Sequence, residues 1–502
     1  MQTRATTIHH TAVHGRRTHP TPPSSTSYGN EVPNSEVPGV STAIHRHPML
    51  VPKTIGTPPA ELPGVHPAYP EVNTTEKAWQ HGVQVAGDGP CLGWRPAAAT
   101  AGEDAGDYTY ISYNTADQIA TDFGRGLIVD DLCPPAKYEE DAAQAAVVAS
   151  GGKGLAYVKE RVGVAPGDDF HMRTLGFFMI NQPTWVLACQ ACNKHTITTV
   201  PLYATLGPNA VEFSINMLQL KTVIADTRAA AKLIKLVNGP SAPPSLKCII
   251  VVQQGDPRVA VDAAEMAKLV AAAGSAVQVV TFHDVQAHGA ALDDAAVAAL
   301  GTSVPKPLDC ATISFTSGTT GDPKGAMLSH ANLVATASAV SFGEIPLGPQ
   351  DVHLSYLPLA HIFERVMTEA LLCGGARIGF IQGPTKKFLL KDLGVLHPTI
   401  FPSVPRLYNM IYDKTMAAVA GGTACKSGLF NKALDAKVQW LKEGYVTHKF
   451  WDTLIFSKIK AKFGLDRIRC MITGAAPIPS HVIEFLRCAF CCPVIEGCVW
   501  GV

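Results

Sequence analysis

The chain of 502 residues contains no run of 18 or more apolar residues. A bilayer-spanning helix needs about 20, so no spanning segment is expected and any membrane contact would be peripheral. Net charge is also missing, because 41 Lys and Arg offset 41 Asp and Glu. That balance argues against a nucleic-acid partner. The 13 cysteines are odd in number and scattered. They form no disulfide framework and suit reduced thiols in an intracellular compartment. Cys189 and Cys192 fall on a predicted helix, roughly 300 residues from Cys488, Cys491 and Cys492, unlike the compact spacing of a zinc ribbon. Internal repeats are absent, and no acidic residue precedes Glu31.

That last absence marks a segment. Residues 1–72 are rich in Pro, Ser, Thr and His and carry Arg4, Arg16 and Arg17. Such a composition does not supply a packed core and reads as a disordered extension. Its basic, hydroxyl-rich, acid-poor character also suits organelle targeting. The remainder is different. With 47% hydrophobic residues overall, the chain can bury a large core. From about Tyr110 strands alternate with helices. Asn114 to Leu127 reads as a helix, with Asn114 and Asp117 as candidate caps. Pro183 opens another helix, through Cys192. Cys248 to Val252, a helix over Val259 to Ala273 and Val277 to Phe282 make a βαβ unit closed by Gly274. Alternation of this kind predicts an α/β fold with parallel-rich sheets covered by helices.

The most informative run is TSGTTGDPKGAML, Thr316 to Leu328, directly after the apolar Ile313 to Phe315. Gly318 and Gly321 permit positive φ and close approach to a ligand. Backbone amides in such a turn form an anion site, and the hydroxyls of Thr316, Ser317, Thr319 and Thr320 add donors. Lys324 can reach a terminal phosphate as a mobile point charge. A Walker loop requires Gly-Lys-Ser/Thr, and here the order is Lys324-Gly325. The run instead resembles the phosphate loop of the AMP-forming adenylate synthetases, a superfamily that includes acyl-CoA synthetases. NQPTWVLACQACNKHTITTVPLYATLGP (Asn181 to Pro208), YLPLAHIFERV (Tyr356 to Val366) and FPSVPRLYNMIYDK (Phe401 to Lys414) resemble its long-chain acyl-CoA synthetase branch. GPCLG (Gly89 to Gly93), GAAPIP (Gly474 to Pro479) and VIEG (Val494 to Gly497) follow the same order.

The resemblance implies a large adenylate-forming domain over residues 73–497. Its substrates would be a long-chain fatty acid, ATP and CoA, with Mg2+ bridging phosphate oxygens. Thr316, Ser317, Gly318, Thr319, Thr320, Gly321 and Lys324 would hold the β- and γ-phosphates, with Thr316 as a metal ligand. Gly474, Ala475, Ala476 and Pro477, then Glu496 and Gly497, would border the adenine. His361 would orient the carboxylate, acting with Lys324 in catalysis. Phe401, Val404 and Leu407 would line the fatty-acid pocket. Glu364 and Arg365 read as an adjacent ion pair. The expected location is the cytoplasm or the surface of the endoplasmic reticulum or peroxisome.

After Gly497 the family pattern continues Tyr-Gly-x-Thr-Glu. This chain reads Cys498-Val499-Trp500-Gly501-Val502. The expectation is therefore a large domain without the small C-terminal one, 498–502 being an aberrant tail. Such a chain would bind ATP and turn over poorly. A nucleotide- or fatty-acid-binding fragment without catalysis, and another acid-adenylating ligase, are the alternatives.

Overall fold

The computed structural model describes residues 30–31, 45–46, 69, 71–96, 106–138, 159, 168–203, 209–301, 304–316, 323–341, 346–474 and 476–497. Within residues 1–72, Asn30–Glu31 pairs antiparallel with His45–Arg46. Fifteen further strands build two sheets. In chain order they are β1 (Pro90–Trp94), β2 (Thr109–Ser112), β3 (Ala136–Tyr138), β4 (Phe170–Phe178) and β5 (Ile197–Pro201). Next come β6 (Thr222–Asp226), β7 (Cys248–Val252), β8 (Gln278–Thr281), β9 (Cys310–Thr316) and β10 (Lys324–Ser329). The last are β11 (Val352–Ser355), β12 (Arg377–Phe380), β13 (Ile400–Ser403), β14 (Cys470–Gly474) and β15 (Val494–Gly497).

The first sheet has the order β8-β7-β6-β4-β5-β9-β10, with β3 antiparallel on β4. Its pairs are parallel up to β9, and β10 returns antiparallel, joining Thr316 to Lys324 in register. All five residues of β5 and of β7 are buried. This is why both read as continuous apolar or hydroxyl-bearing runs: helices cover both faces of a parallel sheet. The second sheet has the order β15-β14-β13-β11-β12-β1-β2, parallel except for β1 with β2. From β11 the chain moves to one side for β12, then crosses back for β13. The reversal sits between β11 and β13, and ligands of open α/β sheets bind beyond the strand carboxyl ends at such a point.

Local chemistry explains the helix boundaries and corrects two expectations. Helix α1 (Thr75–Ala86) is capped by Thr74. Helix α2 (Tyr113–Val129) is capped by Ser112, whose hydroxyl accepts from Thr115 N, rather than by Asn114 or Asp117. Its start moves upstream because an oxygen two or three residues before the bare amides is the better acceptor. The helix expected from Val259 begins at Ala263, where Asp262 accepts from two backbone amides. Helix α3 (Pro183–Lys194) carries Pro183 in its first turn as expected. The segment after the glycine-rich loop does not turn helical at once. It is strand β10 first, then helix α4 (His330–Ser341), because the apolar Met327 and Leu328 pair with β9.

Between the sheets runs helix α5 (Ile362–Cys373), with every residue from Phe363 to Cys373 buried. One face sets Phe363, Met367 and Leu371 on Ile400, Cys470 and Ile472 of the second sheet. The other sets Val366 and Ala370 on Ala311, Leu328 and helix α4. Each large apolar side chain so buried contributes about 1.5–3 kcal/mol. The helix therefore holds both sheets to one axis.

The α1–α4 contact makes the fold acid-sensitive. His330 is 2% exposed, and its Nδ1 lies 2.7 Å from Thr75 Oγ1. Burial, then Arg365, lowers its pKa to about 4. His195 is lowered to about 4 by burial as well. In the unfolded chain both bind a proton near pH 6.5, so between pH 6.5 and 4 only the unfolded state is protonated. Stability is complete above this window and falls as pH drops through it, by on the order of 3 kcal/mol for His330. Urea midpoints measured across the window should decline with falling pH. His330→Asn should flatten the decline by about half, leaving the part due to His195. An unchanged slope would contradict the assignment.

Candidate nucleotide and acyl site

The carboxyl ends of β11, β13, β14 and β15 form one rim. Register places Ser403 beside Thr473 and Thr473 beside Glu496, and the next pair is Gly474 with Gly497. The glycine pair is tight. A Cβ on Gly474 would lie 2.6 Å from Gly497 O and 3.9 Å from Phe363 Cε2. A side chain there would force the backbone apart, so glycine leaves a flat shelf that suits a planar base. Thr473 Oγ1, one residue earlier, is buried and has no hydrogen-bond partner among the described residues. Glu496 is exposed at the end of β15. Partial loss of solvent raises its carboxyl pKa, and Arg487 opposes the shift.

The Tyr356 to Val366 segment leaves this rim from β11. Tyr356 OH donates to Ser403 Oγ at 2.7 Å, and its ring stacks on Phe401 at 5.6 Å. His361 is exposed and caps α5, its Nδ1 accepting from Phe363 N at 3.2 Å. Desolvation lowers its pKa. The ring is thus neutral at pH 7, and with Nδ1 used as acceptor its proton sits on Nε2. Phe363, two residues on, is the side chain that meets Gly474. The structure therefore brings the His361 turn to the glycine shelf.

The phosphate-loop residues Ser317, Gly318, Thr319, Thr320 and Gly321 lie outside the described residues, as does Ala475. Their flanks are placed. Thr316 ends β9 exposed, with Oγ1 3.4 Å from Lys324 O, and Lys324 begins β10 exposed. Both strands pack on α5 through Ala311 and Leu328, the helix that carries His361 at its start. Ala476 is exposed and Pro477 follows it toward the helix Ser480–Phe490. Phe401 is fully buried between Tyr356 and Tyr408, so its ring packs the core. Val404 and Leu407 are half-buried where β13 passes into helix α6 (Pro405–Ala420).

Three contacts of the site were not legible as such. Asn181 donates from Nδ2 to Ser355 Oγ and Leu357 O and accepts from Leu359 N at 2.9 Å. It ties the loop before His361 to the first sheet. Glu364 does not pair with Arg365. Its Oε1 lies 2.9 Å from His353 Nε2 on β11, both side chains fully buried. Arg365 turns the opposite way, to Thr199 Oγ1 and Cys189 Sγ, with its guanidinium 4.8 Å from the Trp185 ring. Neighbours on a helix diverge by about 100°, so consecutive residues reach different sheets. Cys189 and Cys192 are buried thiols, and burial raises Cys189 to about 12.

Two parallel-rich sheets covered by helices, with a glycine shelf at the strand ends of one and a lysine-bearing hairpin at the edge of the other, define the α/β class of this protein. Residues 156–500 match the family model described as AMP-binding enzyme, and the chain belongs to that family. It is 34% identical over 439 residues to the peroxisomal long chain acyl-CoA synthetase 7 of Arabidopsis thaliana, covering 88% of this chain and 54% of that one. It is 34% identical over 433 residues to human long-chain-fatty-acid–CoA ligase 1, covering 86% and 53%. The chain thus spans about half the length of the curated relatives it matches. The adenylation domain of a carboxylate reductase from Mycobacterium chelonae shares the fold, with TM-score 0.58 and 16% identity over 85% of this chain and 57% of that one. So does the A domain of a Segniliparus rugosus carboxylic acid reductase, solved with AMP and a carboxylic acid, with TM-score 0.57 and 17% identity over 85% and 60%.

The buried pair on α5 gives a direct test. Glu364→Ala leaves His353 without its partner and should lower unfolding stability by about 3–5 kcal/mol. Glu364→Gln keeps a hydrogen-bonding oxygen and should cost less than half of that. Equal urea midpoints for wild type and Glu364→Ala would remove the pair from the structural account.

Proposed function

We propose that this chain carries the ATP- and acyl-binding part of a long-chain fatty acid–CoA ligase. The observation that carries this is the shelf of Gly474 and Gly497 at the carboxyl ends of β14 and β15, with Phe363 of the His361 turn next to it. The similarity to long-chain ligases supports the acyl class. On this reading the fatty carboxylate attacks the α-phosphorus of ATP, forming acyl-AMP and releasing pyrophosphate. The thiolate of CoA then attacks the acyl carbonyl, and AMP leaves with the C–O electron pair.

The first step brings two anions together, so the protein mainly positions groups and neutralises charge. Lys324 would balance charge growing on the leaving pyrophosphate. His361 would donate from Nε2 to a carboxylate oxygen. It is a positioning group, because a fatty acid is already ionised at pH 7. The exposed Thr316 hydroxyl at the strand end fits one ligand of Mg2+, an ion held largely by phosphate oxygens and water. Bound there, Mg2+ would supply charge neutralisation to the phosphates. The unpartnered Thr473 Oγ1 fits a polar ligand group at the same rim. Residues Phe401, Val404 and Leu407 would shape the acyl side, Phe401 from within the core. The Arabidopsis relative is peroxisomal by name, which supports an organelle-associated location.

Two measurements test this reading. Calorimetric titration of the 502-residue chain with ATP and Mg2+ should show binding that Lys324→Ala weakens by about 10–100-fold, the value of one charged hydrogen bond. Gly474→Val should abolish it by pushing Gly497 away. ATP binding untouched by both changes would dismiss the site.

The second measurement is pyrophosphate release and thioester formation with acetate, benzoate and palmitate. It uses this chain and one extended to the length of its relatives. Palmitate should be preferred, since each buried methylene adds about 0.8 kcal/mol. Preference for acetate or benzoate would refute the acyl assignment.

A further inference from the structure

A second surface stands apart from this rim. It is built by helix α7 (Ala424–Lys442) and by the continuous helical stretch Lys449–Lys462, which ends in helix α8 (Ser457–Lys462). The stretch passes through a π-helical turn, Asp452–Phe456. Its inner face is anchored by Phe456 and then Phe463, both buried. Its outer face carries large apolar side chains. Phe450 is 61% exposed and Leu454 42%, and Leu429 on α7 is 41% exposed. Phe450, Leu454, Lys458 and Lys462 follow each other at four-residue spacing, and all four are exposed. The stripe is therefore apolar at one end and basic at the other.

Charge is concentrated here as well. Residues 424–462 hold eight lysines and three carboxylates, a net charge of +5 in a chain whose total is zero. The buried Lys437 is neutralised by Asp452 at 2.7 Å. Lys426, Lys449, Lys458 and Lys462 form no ion pair with another described residue. Between α6, α7 and the Lys449–Lys462 stretch an apolar groove is lined by Val419, Phe430, Ile455 and Ile459, with Lys426 and Lys462 also on its wall. A groove of this kind fits an aliphatic chain attached to an anionic head.

We propose that this face docks on an anionic lipid bilayer, with Phe450 and Leu454 entering the acyl boundary and the lysines meeting lipid phosphates and carboxylates. Exposed aromatic and aliphatic residues beside lysines are what an interfacial helix requires. Lysine stems can lie along the apolar layer while their ammonium groups stay at headgroup level. A second copy of the chain is disfavoured, because two faces of charge +5 repel. Nucleic acid offers phosphate but no apolar phase for Phe450 and Leu454. The inference is independent of the proposed ligase activity, since it uses no residue of the nucleotide rim.

Vesicle flotation with the full chain tests it. Vesicles of phosphatidylcholine alone are compared with vesicles containing a third phosphatidylserine, at low and at physiological salt. The wild type should float with the anionic vesicles, less so at higher salt, and not with the neutral ones. Each lysine at an anionic surface contributes about a factor of five, so Lys458→Ala with Lys462→Ala should weaken partitioning about 25-fold. Phe450→Ser with Leu454→Ser should weaken it too. All four side chains are exposed, and urea midpoints for both variants should match wild type. Absence of flotation, equal flotation with neutral vesicles, or wild-type flotation by folded variants would each overturn the proposal. The last result would move the contact to another surface, such as the basic segment that holds Arg4, Arg16 and Arg17.

Discussion

The structure depends on burying helix α5 between two sheets while giving its polar groups partners on both. Glu364 reaches back to His353 in the second sheet, and Arg365 reaches forward to Thr199 in the first and to Trp185 on helix α3. Desolvating two charges is expensive unless geometry compensates. Arg365 also opposes the burial that raises the carboxyl pKa of Glu369, one turn along. A helix fixed in this way cannot slide or rotate freely. Its first turn, capped by His361, is consequently held against the Gly474 shelf. Positioning at the rim is thus paid for inside the core.

The same constraint accounts for the orphaned polar atoms. Glu364 Oε2, His353 Nδ1, Arg365 Nε and Thr368 Oγ1 are buried without partners among the described residues. Each such group costs free energy. They cluster where the two sheets meet the helix, and the surrounding apolar contacts of Phe363, Val366, Met367 and Ala370 offset them. Asn181 adds a polar tie from the first sheet to the loop preceding the helix. The loop that leaves the rim is accordingly tied to the first sheet, although the strands of the rim all belong to the second.

Much of this was legible in the chain itself. The apolar run of β7, the helix opened by Pro183 and the positive-φ Gly274 closing the βαβ unit are local effects. Each is fixed by side-chain period or by backbone freedom, and so can be read without a fold. The resemblance carried by Thr316 to Leu328 likewise led to the family that the comparison identifies. Helix starts were less accurate, because any nearby hydroxyl or carboxylate can cap. Ser112 was chosen over Asn114 by the geometry of one turn.

What the sequence determined alone was the class: alternating strands and helices, a glycine- and hydroxyl-rich turn before a lysine, and a chain without net charge. These are properties of near neighbours and of totals. Only the tertiary structure decided that Glu364 pairs with His353 rather than Arg365, that Phe401 packs within the core, and that Phe363 meets Gly474. Those pairings join residues that are adjacent in space and distant in the chain, or separate residues adjacent in the chain. Helical rotation and sheet register set them, and neither can be computed from spacing until both partners of a contact are known.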